Sequence, residues 1–235
     1  MSQSPSLQTT LEDRAEAGRR LVEPLLKYAH RPDVIVLALP RGGVPVAYEV
    51  AKALDVRLDL MLVRKLGVPS QPEFAMGAIA SGGIQIINED ALRAHPITPA
   101  AFDAVLARET QELLRREQVY RGTRPPVRLK DQVVILIDDG LATGASMMAA
   151  IHAVRIQAPS RIVVAVPVAP LETVEALRSE VNEVICPLIP EWMMSIGYWY
   201  LRFPQTSDEE VIDLLMRAWQ RESATSASAQ GNVDD

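Results

Sequence analysis

The chain has 235 residues with a formal net charge of −6, 48% hydrophobic and 23% charged residues, the balance of a soluble globular protein with one large domain and small additions. The acidic surplus argues against a general nucleic-acid binder, the single Cys186 excludes an intramolecular disulfide or a cysteine zinc cluster, and His30, His95 and His152 lack metal-ligand spacing. No apolar run approaches the roughly 18 residues that span a bilayer, and the polar start does not read as a signal peptide, so no membrane contact and a cytoplasmic location are expected.

In chain order, residues 1–10 read as a disordered start. Thr10 is the expected N-cap of a helix over 11–29, with Asp13 acidic in its first turn. Residues 34–39 form a short buried strand ended by Pro40, and Gly42-Gly43 lead into a helix over 44–54. A second strand over 57–63 ends in Arg64-Lys65, completing one right-handed βαβ unit. Residues 66–74, with Gly67, Pro69, Ser70 and Pro72, read as a long exposed loop. Residues 77–80 and 84–87 flank Ser81-Gly82-Gly83, a hairpin signal. Thr98 caps a polar helix to about residue 120, and Arg124-Pro125-Pro126 interrupts the chain before the next strand. Further strands are expected over 162–166 and 181–185, with a helix over 171–179 between them and a last helix over 207–220. The Ser/Ala-rich segment 222–235 reads as a disordered tail. Strands alternating with helices predict one α/β domain over 11–221, a central mostly parallel sheet with helices on both faces.

The most informative stretch is 133–146. Five apolar residues, Val133 to Ile137, run into Asp138 and Asp139, and Gly140-Leu141-Ala142-Thr143-Gly144-Ala145-Ser146 then leads into a helical pattern from Met147. A buried strand, a polar loop and a helix amino terminus in that order make the place where open α/β sheets bind ligands. The loop offers N–H groups and the hydroxyls of Thr143 and Ser146 at the positive end of a helix, a seat for phosphate. The paired acids suit hydroxyls or a divalent cation, so a ligand such as ribose 5-phosphate satisfies both halves. A second loop, Leu39-Pro40-Arg41-Gly42-Gly43-Val44-Pro45, also follows a strand and opens a helix, and can meet a second phosphate.

Residues 134–146 resemble, without a gap, the phosphoribosyl pyrophosphate (PRPP) motif of the type I phosphoribosyltransferases: four apolar residues, two acids, a short spacer, Thr-Gly and a hydroxyl residue. The resemblance covers about 34–214, its ends looking like an uncharacterised bacterial subgroup. It implies that fold, with a flexible lid loop and hairpin over 66–88 and a small carboxyl-terminal hood over 187–206. It further implies transfer of 5-phosphoribosyl from PRPP to a nitrogenous acceptor, with release of pyrophosphate. Asp138 and Asp139 would then bind the ribose hydroxyls as catalytic residues and hold Mg²⁺ largely through PRPP and water. Gly140, Ala142, Thr143, Gly144, Ala145 and Ser146 would surround the 5′-phosphate. Arg41, Gly42 and Gly43 look like the pyrophosphate loop, which in relatives often holds a non-proline cis peptide; Arg41–Gly42 is the candidate bond here. Lys65 resembles the family's catalytic basic residue beside the pyrophosphate, and Arg64 is either a further PRPP contact or a solvated strand end. The segment 67–76 matches the lid, within which Glu73 reads as a surface carboxylate. Ala142 stands where members acting on 6-oxopurines carry an Asp, so the resemblance points to another acceptor class.

Three readings stay open. The aromatic segment with Trp192, Tyr198 and Trp199 is either an acceptor hood or a structural or subunit contact. Arg115, Arg116, Arg121, Arg124, Arg128 and Lys130 are either a solvated helix face or a subunit or phosphate contact. The protein itself is either the transferase, a PRPP-sensing or RNA-binding regulator without catalysis, or a hydrolase or transferase of another phosphoribosyl compound. A homodimer is the default assembly.

Overall fold

The computed structural model describes residues 10–94 and 96–230, the side chains of 72, 73 and 225–230 excepted. Its elements are α1 (Arg14–Leu25), β1 (Val34–Ala38), α2 (Gly43–Leu54), β2 (Arg57–Leu60), β3 (Val63–Val68), β4 (Gln71–Ala80), β5 (Ile84–Ile87), α3 (Glu89–Ala94), α4 (Pro99–Arg121), β6 (Val133–Ile137), α5 (Ala145–Ile156), β7 (Arg161–Ala165), α6 (Leu171–Arg178), β8 (Glu183–Ile185) and α7 (Asp208–Gln230).

β2, β1, β6, β7 and β8 lie in that order in one parallel sheet. Every residue of β1 and β6 is buried, because helices cover both faces. Val34, Val36, Val133 and Ile135 pack with Leu21, Val50, Leu113 and Leu215 of α1, α2, α4 and α7. The alternate residues Ile35, Leu37, Val134 and Leu136 pack with Met147 and Ile151 of α5 and Val174 of α6. Both faces of each strand are therefore apolar, which is why these strands read as unbroken hydrophobic runs. The chain moves outward from β1 to β2 and then returns to β6 on the other side of β1. That reversal sets the loops after β1 and β6 side by side at the carboxyl edge, where ligands bind such sheets.

Several local expectations are corrected. α1 begins at Arg14, not Leu11, and its N-cap is Asp13, whose carboxylate accepts from the Glu16 N–H at 2.9 Å. Leu11 is instead drawn into a bridge with Tyr200. The expected exposed loop over 66–74 is mostly strand: β3 pairs antiparallel with β4, and β4 with β5, in a separate three-stranded sheet. Leu66, Val68 and Met76 are buried, and that burial overrides the local turn residues, leaving only Pro69-Ser70 in the turn. Arg64 and Lys65 accordingly lie within β3 rather than at the end of β2. The hairpin at Ser81-Gly82-Gly83 is present, with both glycines at positive φ.

α7 continues to Gln230, past the point where the sequence predicts a disordered tail. Alanine is the best helix former and serine costs little, so a segment anchored by Val211, Leu215 and Trp219 extends the helix readily. The expected disordered start, save Thr10, and positions 231–235 of the tail lie outside the described residues, as does His95. No helix among the described residues is long and apolar enough to cross a membrane.

Candidate functional site

Each half of the site hangs from the end of a buried strand. β6 carries Asp138 and Asp139 to the carboxyl edge, and the loop after them turns into α5 through Gly144, whose φ of 70° makes it a left-handed N-cap. The loop is pinned from outside: the Leu141 N–H donates to the Val168 carbonyl at 2.9 Å, and Thr173 Oγ1 to the Ala142 carbonyl at 2.7 Å. Thr143, Ala145 and Ser146 remain exposed at the positive end of α5.

β1 carries the opposing loop. Its cis peptide is Pro40–Arg41, one residue before the bond that the resemblance points to. The Gly43 and Val44 N–H groups donate back to the carbonyls of Leu39 and Arg41, both at 3.1 Å. Among the described residues, the Arg41 and Gly42 N–H groups carry no such bond and are the donors the loop can offer outward. The two loops touch. A Cβ on Gly42 would lie 2.0 Å from Asp139 Oδ2, and one on Gly43 would lie 2.7 Å from the Ile137 carbonyl oxygen. No side chain fits at either position without moving an acid or a strand end.

The two acids differ. Asp138 Oδ1 accepts from the Asp139 N–H at 2.8 Å. Asp138 also lines a cavity of about 90 Å³ with Pro40, Arg64, Arg116 and Ser146. Burial, reinforced by the neighbouring Asp139 charge, raises its carboxyl well above the usual range. Asp139 is 8% exposed, and burial raises it too, against the opposing pull of Arg14. Arg14 Nε donates to Asp139 Oδ2 at 2.8 Å. Its Nη1 reaches the Pro204 carbonyl at 2.6 Å, and its guanidinium lies 3.8 Å over the Phe203 ring. Tyr200 OH donates to the Asp139 carbonyl at 2.5 Å. Arg14 escapes sequence reading because it lies 125 positions from its partner, in a segment that reads as an ordinary helix start.

The basic residues are largely engaged. Arg41 lies 3.5 Å from Asp208 Oδ1, which also accepts from Tyr120 OH at 2.6 Å. Arg64 grips Glu109 Oε2 through Nε and Nη2, at 2.9 and 2.5 Å. Burial raises the Glu109 carboxyl, but bonds from Arg64 and Arg108 outweigh it and hold it below the usual range. Lys65 is exposed on β3, opposite Ala78. In the basic segment, Arg115 and Arg116 share Glu112, Arg121 pairs with buried Asp59, and Arg124 pairs with Glu222.

The aromatics divide. Tyr198 and Trp199 meet edge to face at 5.6 Å, and Trp199, Tyr200 and Phe203 pack with Leu11, Ala17 and Val168 in a small separate core. Ile196 closes on the acid loop, since a Cβ on Gly140 would lie 2.7 Å from its Cγ2. Trp192 stands apart, 82% exposed. Among the described residues no group of three or more His, Cys, Asp or Glu could hold a metal. One or two carboxylates suit a cation whose other ligands are phosphate oxygens and water.

Residues 8–198 match the family model described as "Phosphoribosyl transferase domain". Over 207 residues the chain is 42% identical to the protein named "Putative phosphoribosyl transferase" in two strains of Mycobacterium tuberculosis, CDC 1551 / Oshkosh and H37Rv. That match covers 88% of this chain and 46% of those proteins, so the chain spans about half the length of the curated relatives it matches. The crystal structure of TT1426 from Thermus thermophilus is also 42% identical, with a TM-score of 0.79 over 88% of this chain and 98% of that one.

Proposed function

Because the chain belongs to the phosphoribosyltransferase domain family and has its fold, we propose that it transfers 5-phosphoribosyl from PRPP to a nitrogen acceptor and releases pyrophosphate. The observation that carries this reading is the contact of the two strand-end loops through Gly42, Gly43 and the acid pair. One loop has the chemistry for a phosphate and a diol; the other offers the Arg41 and Gly42 N–H groups to a second phosphate beside it.

In this reading Ala142, Thr143, Gly144, Ala145 and Ser146 hold the 5′-phosphate through N–H groups and two hydroxyls. Asp138 and Asp139 accept from the ribose hydroxyls, and Gly140 lets Ile196 and Val168 pack close beneath the acid loop. Arg41, Gly42, Gly43 and Arg64 take the pyrophosphate, with Lys65 as the flexible cation that follows the departing charge. Asp138 and Asp139 would hold Mg²⁺ largely through water and PRPP, and that cation would supply charge neutralisation for the leaving group. The chain itself contributes orientation and fixed dipoles, which is where most of the rate enhancement in such chemistry arises. The β3–β4 hairpin serves as the lid that keeps water from the electron-poor sugar carbon. Ala142 offers no group to handle a ring proton, so the acceptor is a nitrogenous ring other than a 6-oxopurine. The segment that carries Tyr198 and Trp199 and closes on the acid loop through Ile196 is the candidate hood for it.

Titration calorimetry with PRPP and Mg²⁺, together with pyrophosphate release against a panel of bases, tests the reading. PRPP is expected to bind, and Asp138→Asn with Asp139→Asn to weaken it by at least tenfold, about 1.4 kcal/mol. A protein that ignores PRPP sinks the proposal. Binding without pyrophosphate release on any base would favour the sensing regulator instead. The ion pairs of Arg115, Arg116, Arg121 and Arg124 leave an RNA-binding role without specific support.

A further inference from the structure

We infer that Arg14 is a positioning residue for the sugar subsite, locking the Asp139 carboxylate in place through the strap over 199–204. The inference rests on the reading of Asp138 and Asp139 as ribose-binding acids, and it concerns a residue far from the motif that carries them.

Three independent contacts converge on this side chain. Nε holds Asp139 Oδ2 at 2.8 Å, with both side chains 11% exposed. Nη1 donates to the Pro204 carbonyl at 2.6 Å. The guanidinium carbon sits 3.8 Å from the centre of the Phe203 ring, which in turn packs on Tyr200 at 4.8 Å. Stacked and bonded in this way, the guanidinium has little freedom, and lysine, a point charge on a flexible stem, reproduces only the charge.

The strap is itself tied to the segment that carries Arg14. The Leu11 N–H donates to the Trp199 carbonyl at 2.8 Å, Leu201 returns a bond to Leu11 at 2.8 Å, and the Arg202 N–H reaches the Glu12 carbonyl at 2.9 Å. Tyr200 OH then holds the backbone of Asp139 while Arg14 holds its side chain. Oδ2 is committed to Arg14, and the whole carboxylate lies against the bare Cα of Gly42, so its orientation is set before a sugar hydroxyl arrives. The ribose subsite and the strap are thus one unit, with Arg14 at the joint. A free carboxylate would rotate, and the sugar would have to order it on binding.

The test compares ribose 5-phosphate with 2-deoxyribose 5-phosphate, with inorganic phosphate as a third probe, on wild type, Arg14→Met and Arg14→Lys. Wild type is expected to prefer the hydroxylated sugar by at least fivefold. Arg14→Met should lose that preference while keeping its affinity for inorganic phosphate, and Arg14→Lys should recover part of it. Phe203→Leu, which keeps the ion pair and removes the stack, should fall between wild type and Arg14→Met. Arg14→Met that retains the full preference overturns the inference. So does an equal loss for both sugars and for phosphate, which would mark a purely structural role. If wild type binds neither sugar, the ribose reading fails first and this inference with it.

Discussion

The acid pair works within distances that leave no slack. Asp139 Oδ2 is held on one side by Arg14 and on the other by the bare Cα of Gly42, where a methyl group would lie only 2.0 Å away. Gly42 itself has φ −60° and ψ −32°, a conformation that alanine adopts freely, so its identity answers to the neighbouring carboxylate rather than to the backbone. Gly42→Ala should therefore leave the chain folded but push Asp139 aside, weakening PRPP on the order of tenfold or more by titration calorimetry. An unchanged affinity would mean that the carboxylate is not needed where it stands. Gly122→Ala is the contrasting case: nothing lies within 4 Å, but a φ of 58° strains any side chain, so it should lower stability and leave PRPP affinity unchanged. Asp138, Asp139, Thr143 and Ser146 are legible in the sequence because a strand, a loop and a helix start place them by local spacing alone. Arg14 and Tyr200 are not, because no local pattern encodes contacts across 125 and 61 positions.

Elements that look like accessories hold the site in register. The carboxyl end of α4 inserts Arg121 beneath the edge of the sheet, 6% exposed. There it meets Asp59 Oδ1 at 2.9 Å, the Leu60 carbonyl at 2.5 Å and Ser81 Oγ at 3.4 Å. One side chain thereby joins α4, β2 and the turn of the β4–β5 hairpin. Asp59 Oδ2 has no hydrogen-bond partner and Oδ1 would keep only the Leu60 N–H, so removing the cation would leave a buried carboxylate without its counter-charge. Arg121→Met is expected to lower stability by about 3–5 kcal/mol, read by urea unfolding, and Asp59→Asn in the same chain to restore part of it. A loss below about 1 kcal/mol would show that water reaches Asp59. This clamp also explains a limit of sequence reading. The turn residues Gly67, Pro69 and Pro72 are real local signals, but Leu66, Val68 and Met76 join a core with Val105 and Leu113 that only the folded α4 provides. β1, β6 and β7 needed no such help, since their apolar runs and flanking polar loops specify a buried strand on their own.

At the scale of the molecule, the site exists because the sheet order reverses between β1 and β6 and brings two helix-opening loops together. In the proposed reading neither loop binds much alone: the β6 loop offers N–H groups and the hydroxyls of Thr143 and Ser146 to one phosphate, and the β1 loop offers only N–H groups and Arg41 to the other. A ligand that spans both closes the gap between two layers packed on opposite faces of the sheet, so binding should register as global stability. The size of the effect follows from mass action. PRPP with Mg²⁺ at a hundred times its dissociation constant would add about 2.7 kcal/mol, and with roughly 2–4 °C per kcal/mol for a chain of this size the midpoint should rise by about 5–11 °C. Removing the metal with a chelator separates the contributions. If the cation is held mainly by PRPP oxygens, the protein without ligand should keep its midpoint in the chelator, while most of the PRPP-dependent rise disappears. If the cation instead had a protein cage of its own, the chelator would lower the midpoint of the ligand-free protein as well. Ribose 5-phosphate, which reaches only the β6 loop and the acids, should give a smaller rise that the chelator touches less. An equal rise with ribose 5-phosphate and with PRPP would remove the pyrophosphate loop from the site, and the proposed reaction with it.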